Sequence, residues 1–370
     1  MDILFIAGNA RSLIANRGDL IREMQSKGLV VAAAVPERDY LPEVEELGIT
    51  IFRFEMGRTG INPLSDIKTF FSLFRLMRKK NPKAVFCYTI KPVVYGSLAA
   101  KLAGVPKIFS MITGLGHVFT TQNVKTGLVR KIVAWLYKLS LFQNDVIFFQ
   151  NPDDEREFRQ LKIINDTAKV VRTNGSGVDT EKFALSDLPS GNPVFMFIGR
   201  LLTEKGIIEY VEAAKALRAR YQDVTFIAVG PHDPSLPHSI DQALLDDWKN
   251  NSCVEFIGSV SDVRPCLAKC SVFVLPSYRE GTPRSVLEAM SMGRAIVTSD
   301  APGCRETVID GNNGFLVAPR SADSLADAME KFIIEPTLIG RMAQESRRLA
   351  EEKYDVKKVN KVILNAMGYI

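Results

Sequence analysis

Glu280 and Glu288 bracket the segment Glu280-Gly281-Thr282-Pro283-Arg284-Ser285-Val286-Leu287-Glu288. Each carboxylate can accept hydrogen bonds from the hydroxyls of a ligand. Thr282 and Pro283 between them suit the N-cap and first turn of a helix running through Met290. Free N–H groups at its start, around Arg284 and Ser285, present partial positive charge to an anion. The segment therefore reads as a grip for a molecule carrying hydroxyls at both ends and phosphate between them. A second cluster, Gly199-Arg200-Leu201-Leu202-Thr203-Glu204-Lys205-Gly206, sets two cations five positions apart beside a glycine. Such a pair can neutralise a leaving pyrophosphate when no metal does so. No Asp-x-Asp metal motif occurs in the chain, which favours a cation clamp over a metal-assisted reaction.

These clusters need strands to position them. Apolar runs at Ile3–Ala7, Val30–Val35, Ala84–Tyr88, Lys107–Ile112 and Val146–Gln150 alternate with helical stretches. A second series follows at Val194–Gly199, Val224–Gly230, Val254–Gly258, Val272–Leu275, Ala295–Thr298 and Gly314–Val317. The alternation predicts an α/β protein of parallel, doubly wound sheets. Ligand contacts are then expected in loops at the carboxyl ends of strands. The turn-rich segment Asp187-Leu188-Pro189-Ser190-Gly191-Asn192-Pro193 marks a boundary between two domains, 1–187 and 188–353.

A chain of 370 residues, with 46% hydrophobic and 24% charged residues, has the composition of a soluble two-domain protein. Its apolar runs fall short of the roughly 18 to 20 residues that span a bilayer. The N-terminus lacks a basic n-region, so a cytosolic location is expected. Five cysteines without a Cys-x-x-Cys pair, and three histidines, suggest reduced thiols rather than disulfides or zinc. Residues 51–150 hold 15 Lys and Arg against 3 Asp and Glu, which implies an anionic partner for the first half. A nucleic-acid-binding α/β protein would explain that basicity but not the two clusters above. A dinucleotide-dependent dehydrogenase is disfavoured, because no Gly-x-Gly-x-x-Gly follows Ile3–Ala7 or Val194–Ile198.

Four ordered motifs give the chain a resemblance to retaining family-four glycosyltransferases of the GT-B fold, two Rossmann-like domains facing across a cleft. They are Gly-Arg-Leu-x-x-x-Lys-Gly at 199–206, Glu-x7-Glu at 280–288, Asn174-Gly-x-Gly-Val-Asp179-x-x-x-Phe183, and Gly311-x-x-Gly314-Phe-Leu-Val. The resemblance implies that Arg200 and Lys205 hold the donor diphosphate, Glu280 the sugar hydroxyls and Glu288 the ribose. Gly199 and the backbone from Gly281 through Thr282, Pro283, Arg284 and Ser285 to Val286 would line the donor. Phe256, Gly258 and Val260 would border the base. Gly8 would allow close approach of a substrate, although the family's Gly-Gly pair is replaced by Gly8-Asn9. His117 falls near a sugar- and phosphate-contacting histidine of the family. The first domain would bind acceptor and the second donor, with the C-terminal helix in 354–370 crossing back to the first.

Within the family, Lys91-Pro-Val-Val-Tyr-Gly-Ser-Leu-Ala-Ala-Lys101 and Ile112-Thr-Gly-Leu-Gly116 are similar to bacterial enzymes that extend polyprenyl-diphosphate-linked glycans, N-acetylgalactosaminyltransferases among them. That likeness implies a UDP-sugar donor, a lipid-linked glycan acceptor, and neither cofactor nor nucleic acid. The alternative within transferases is a soluble acceptor. Residues 124–142 place Val129, Ile132, Val133, Leu136 and Leu139 near helical spacing among Lys125, Arg130, Lys131 and Lys138. With Phe70, Phe71, Phe74 and the basic run Arg75–Lys80, residues 70–142 are expected to rest on an anionic bilayer, on the inner face of the cell membrane. The competing reading of the same apolar positions is ordinary core.

Overall fold

The computed structural model describes residues 1–37, 42–57, 62–115 and 124–370, by backbone alone at 124–126 and 128. The chain divides into two units, Met1–Ser176 with Val359–Ile370, and Gly177–Lys358.

The first unit is built on seven parallel strands: β1 (Ile3–Ile6), β2 (Val31–Pro36), β3 (Thr50–Phe54), β4 (Ala84–Tyr88), β5 (Lys107–Ile112), β6 (Val146–Phe149) and β7 (Val170–Arg172), in the order β3-β2-β1-β4-β5-β6-β7. Ile3 lies opposite Val31 on one side and Ala84 on the other. Strand β1 is buried along its whole length. Unbroken burial follows when helices cover both faces of a parallel sheet. Successive side chains alternate between those faces. Leu4, Ile6, Val85 and Cys87 belong to one apolar cluster, and Ile3, Phe5, Phe86 and Tyr88 to the other. Val359, Ile363, Leu364 and Met367, one stripe of the helix Val356–Met367, join the second cluster.

Strands β3 and β7 are absent from the sequence-predicted set. Both are edge strands, and only Phe54 of the two is buried. Neither carries the continuous apolar run that marks an interior strand.

The second unit has six parallel strands: β8 (Val194–Ile198), β9 (Thr225–Val229), β10 (Val254–Gly258), β11 (Val272–Leu275), β12 (Ala295–Ser299) and β13 (Gly314–Val317), in the order β10-β9-β8-β11-β12-β13. Residues 177–187, expected to close the first domain, pack with this unit instead. Phe183 is buried in its core. The fully buried Arg294 donates to the carbonyls of Ser186 at 3.0 Å, Asp187 at 3.1 Å and Leu267 at 2.8 Å. A guanidinium with five donors in a planar fork can satisfy several carbonyls at once, and no apolar residue replaces those bonds.

Arg294→Ala is therefore expected to cost about 3 kcal/mol, by leaving buried carbonyls unpaired beside a cavity. The measurement is the urea midpoint of unfolding, and a midpoint equal to that of the unaltered chain contradicts this role.

Candidate active site

In the second sheet the strand order reverses between β8 and β11: β9 and β10 lie beyond β8, and β12 and β13 beyond β11. The connections on either side of such a switch point diverge, leaving a crevice at the carboxyl ends of the two central strands. Strand β8 runs into Gly199-Arg200, and β11 into Pro276-Ser277. Both clusters singled out from sequence thus leave the two strands at the switch.

The two loops are joined by side chains and backbone. Lys205 Nζ donates to Glu280 Oε1 in a short ion pair, with the side chains only 18% and 13% exposed. The buried Ser277 hydroxyl lies 2.7 Å from the same Glu280 oxygen and 3.1 Å from the Glu204 carbonyl. The Tyr278 N–H donates to Glu204 O at 2.9 Å, and the Glu280 N–H to Pro302 O at 2.9 Å. Two glycines permit this closeness. Gly206 has φ +76° and a Cβ there would stand 2.2 Å from Pro276 O; Gly303 has φ +80° and its Cβ would stand 2.1 Å from Glu280 O. Any other residue at either position must push a backbone carbonyl away and adopt a left-handed conformation.

The helix after this loop spans Arg284–Ser291. Its N-cap is Pro283, in an extended conformation, rather than Thr282 as expected, and the Pro283 side chain makes no capping hydrogen bond. Proline has no side-chain acceptor to offer, so the N-cap residue itself does not neutralise the positive end of the helix. Glu288 lies one turn in, 9% exposed, with Oε1 accepting from Arg284 Nε at 2.8 Å. Burial pushes its carboxyl above the ordinary value, and Arg284 opposes that rise by charge and hydrogen bond. Arg200, by contrast, is exposed and its side chain makes no hydrogen bond or ion pair among the described residues. The site thus combines one exposed cation, one cation held by a carboxylate, a helix start with proline as its N-cap and a buried glutamate. That set can receive a diphosphate flanked by hydroxyl groups.

Other sequence-predicted residues distribute around this centre. Phe256 stacks on Trp248 at a centroid distance of 6.2 Å, and the space around a Gly258 Cβ is open. Val260 packs partly on the core. The Val286 side chain is fully buried, and its N–H returns to Pro283 O at 3.1 Å. Gly8 belongs to the first unit, where a Cβ would stand 2.4 Å from Thr89 Oγ1. A packing contact therefore already calls for glycine there. Asn9, which replaces the family's second glycine, is the N-cap of the helix Ala10–Ser26 and accepts from the Ser12 N–H at 2.7 Å. His117 lies outside the described residues. Sequence reasoning missed Ser277 and Gly303. Their signals are a serine three positions before Glu280 and the turn dipeptide Pro302-Gly303.

Two doubly wound parallel sheets in one chain are the architecture of the GT-B fold, which glycosyltransferases adopt. Residues 192–335 match the family described as glycosyl transferases group 1, and residues 2–151 match that described as glycosyl transferase 4-like. The chain belongs to these glycosyltransferases. It is 29% identical over 357 residues, covering 94% of this chain and 93% of the relative, to the N,N'-diacetylbacillosaminyl-diphospho-undecaprenol alpha-1,3-N-acetylgalactosaminyltransferase of Campylobacter jejuni. It is 26% identical to the UDP-Gal:alpha-D-GlcNAc-diphosphoundecaprenol alpha-1,3-galactosyltransferase of Escherichia coli, covering 90% of this chain and 87% of that one. Among solved structures, sucrose-phosphate synthase from Thermosynechococcus elongatus superposes with a TM-score of 0.81 at 17% identity, over 99% of this chain and 98% of that one.

The state of Glu288 has a consequence for stability. A carboxyl raised above 4.5 on folding favours the folded state below that pH, and the contribution is lost as pH rises through the raised value. Glu288→Gln removes the buried charge, so it is expected to melt no lower than the unaltered chain at pH 7, with the two curves converging below about pH 4.5. A variant that melts lower than the unaltered chain at pH 7, with the deficit vanishing below about pH 4.5, would mean that the Arg284 contact outweighs desolvation.

Proposed function

We propose that the chain is a retaining, metal-independent transferase that moves a hexose or N-acetylhexosamine from a UDP-sugar to a polyprenyl-diphosphate-linked glycan. The observation that carries this reading is the convergence of Arg200, Lys205 and Glu280 at the switch between β8 and β11. The names of the Campylobacter and Escherichia relatives, both acting on undecaprenyl-diphosphate-linked sugars, support the acceptor class, and the second supports a UDP-linked donor.

In this reading the donor diphosphate enters beside Arg200 and the start of the helix Arg284–Ser291, and Lys205 turns from Glu280 toward phosphate. Glu280 is then available to the sugar hydroxyls and Glu288 to the ribose. The bond from the anomeric carbon to the diphosphate breaks as the acceptor oxygen approaches from the same face. The departing diphosphate takes the acceptor proton, so no side chain serves as a dedicated base. The protein's contribution is orientation and stabilisation of the leaving charge. Lys205→Ala is expected to lower transfer by about 100-fold or more with an unchanged circular dichroism spectrum. Turnover should persist in EDTA and the product should keep the anomeric configuration of the donor. Near-normal transfer by Lys205→Ala sinks the site assignment, and metal-restored activity after EDTA sinks the metal-free mechanism.

The same reading includes a membrane-facing surface on the first unit. The helix Val124–Leu141 turns Val133, Tyr137 and Leu141 into the core, while Ile132, Trp135, Leu139 and the following Phe142 form a second apolar stripe, exposed by 44%, 58%, 42% and 73%. Exposed Lys131 and Lys138 flank it. On the helix Pro63–Lys80, Phe70 and Phe74 pack against the core, whereas Leu64, Ile67 and Phe71 are exposed. Large apolar side chains standing beside lysines in water suit the interface of an anionic bilayer. No helix of the described residues is long and apolar enough to cross one. Vesicles containing phosphatidylglycerol are expected to sediment with the protein, and the double substitution Trp135→Ser with Phe142→Ser to weaken that binding about tenfold. Equal binding by both proteins refutes this surface.

A further inference from the structure

The loop bearing Lys205 and the turn bearing Glu280 are joined a second time. Four residues beyond Lys205, Glu209 stands in the first turn of the helix Ile207–Arg218; two residues before Glu280 stands Tyr278. The Tyr278 hydroxyl donates to Glu209 Oε1 at 2.6 Å. Glu209 is 8% exposed, and its other carboxylate oxygen, Oε2, is buried without a hydrogen-bond partner. Burying a carboxylate for the sake of one hydrogen bond is unfavourable, and the helix start offsets only part of that. Over the face of the tyrosine ring, the Arg320 guanidinium lies 4.6 Å from the ring centroid, on a residue held at φ +61°. Left-handed backbone in a non-glycine residue is itself strained. Burial and the neighbouring Glu209 carboxylate raise the Tyr278 hydroxyl well above its ordinary value, so it remains a donor.

We propose that Glu209 and Tyr278 are positioning residues: their hydrogen bond, backed by Arg320, keeps the Glu280 turn in register with the Lys205 loop when a nucleotide diphosphate separates the Lys205–Glu280 pair. The inference rests on the donor-site reading given above. In that reading Lys205 Nζ moves from Glu280 toward phosphate, which opens the ion pair. The bonds from Tyr278 N–H and the Ser277 hydroxyl to Glu204 O then remain, but both end on one oxygen, and a single point of attachment is a pivot. A second attachment through the Tyr278 side chain removes the rotation that one point permits, and orientation of this kind is what tight recognition of a small anion needs.

A double-mutant cycle read by calorimetric titration with UDP tests this on the full chain. Tyr278→Phe and Glu209→Ala are each expected to weaken UDP binding about tenfold, Glu209→Gln to restore most of the loss, and Tyr278→Phe to add little in a Lys205→Ala background, because its effect passes through Lys205. Thermal unfolding of each variant reports whether the fold is kept, and Glu209→Ala stands in if Tyr278→Phe does not fold. UDP affinity within twofold of the unaltered chain in Tyr278→Phe overturns the proposal, as does an undiminished effect in the Lys205→Ala background. Lys205→Ala binding UDP as well as the unaltered chain would instead overturn the donor-site reading itself.

Discussion

A lysine and a glutamate from two neighbouring strand ends, drawn together away from water, set the terms for the rest of the second unit. The contact between Lys205 and Glu280 exists because β8 and β11 are adjacent at the point where the sheet reverses its order. It is close because the two loops carry no side chain at Gly206 and Gly303. A charge pair withdrawn from solvent gains little net stability, since each ion gives up hydration to form it. Its value lies in what it keeps ready: a cation already stripped of much of its water and a carboxylate already aimed. On the proposed donor-site reading, a diphosphate arriving there exchanges one anionic partner of Lys205 for another and need not recruit a solvated side chain from the surface. Arg200 differs in kind, being exposed and uncommitted, and the two cations thus supply a fixed and an adaptable positive charge.

How much of this was legible in the sequence depended on where a residue stood in the sheets. All the interior strands announced themselves, because a parallel strand covered on both faces must be apolar throughout, as Ile3–Ile6 and Val272–Leu275 are. The edge strands Thr50–Phe54 and Val170–Arg172 face water along part of their length and leave no such run. Glu280, Glu288, Arg200 and Lys205 were legible because charged residues directly after apolar strands are conspicuous. Their supports were not. Ser277 and Gly303 are ordinary turn residues until the fold brings one against Glu280 Oε1 and the other against Glu280 O. The division at Ser176 escaped too, since the turn-rich stretch at 187–193 is the louder local signal, while the bonds that draw Ser186 and Asp187 into the second unit come from Arg294, far along the chain.

Helical periodicity was ambiguous in an instructive way. The stretch 124–142 has more apolar residues than one face needs, and spacing alone assigned Ile132 and Val133 to the same side. The helix separates them: Val133, Tyr137 and Leu141 enter the core, and Ile132, Trp135, Leu139 and Phe142 do not. Two apolar stripes on one helix mean two environments to satisfy, of which the protein's own core supplies one. A sequence pattern records how much apolar surface a helix carries, whereas the division of that surface between partners is a property of the packed unit.

The glycines at 206 and 303 also bear on how such a chain can change over generations. At both positions a backbone carbonyl occupies the place of a Cβ, so almost every point substitution shifts the loop that carries Lys205 or Glu280. The frame that holds Lys205 against Glu280 is therefore closed to gradual adjustment. Change in a lineage built on this frame is easier where neither a close carbonyl nor a left-handed backbone restricts the residue, or in the other unit altogether. On the donor-site reading, a fixed grip alongside drift in the surfaces that choose what is gripped is the pattern this geometry favours.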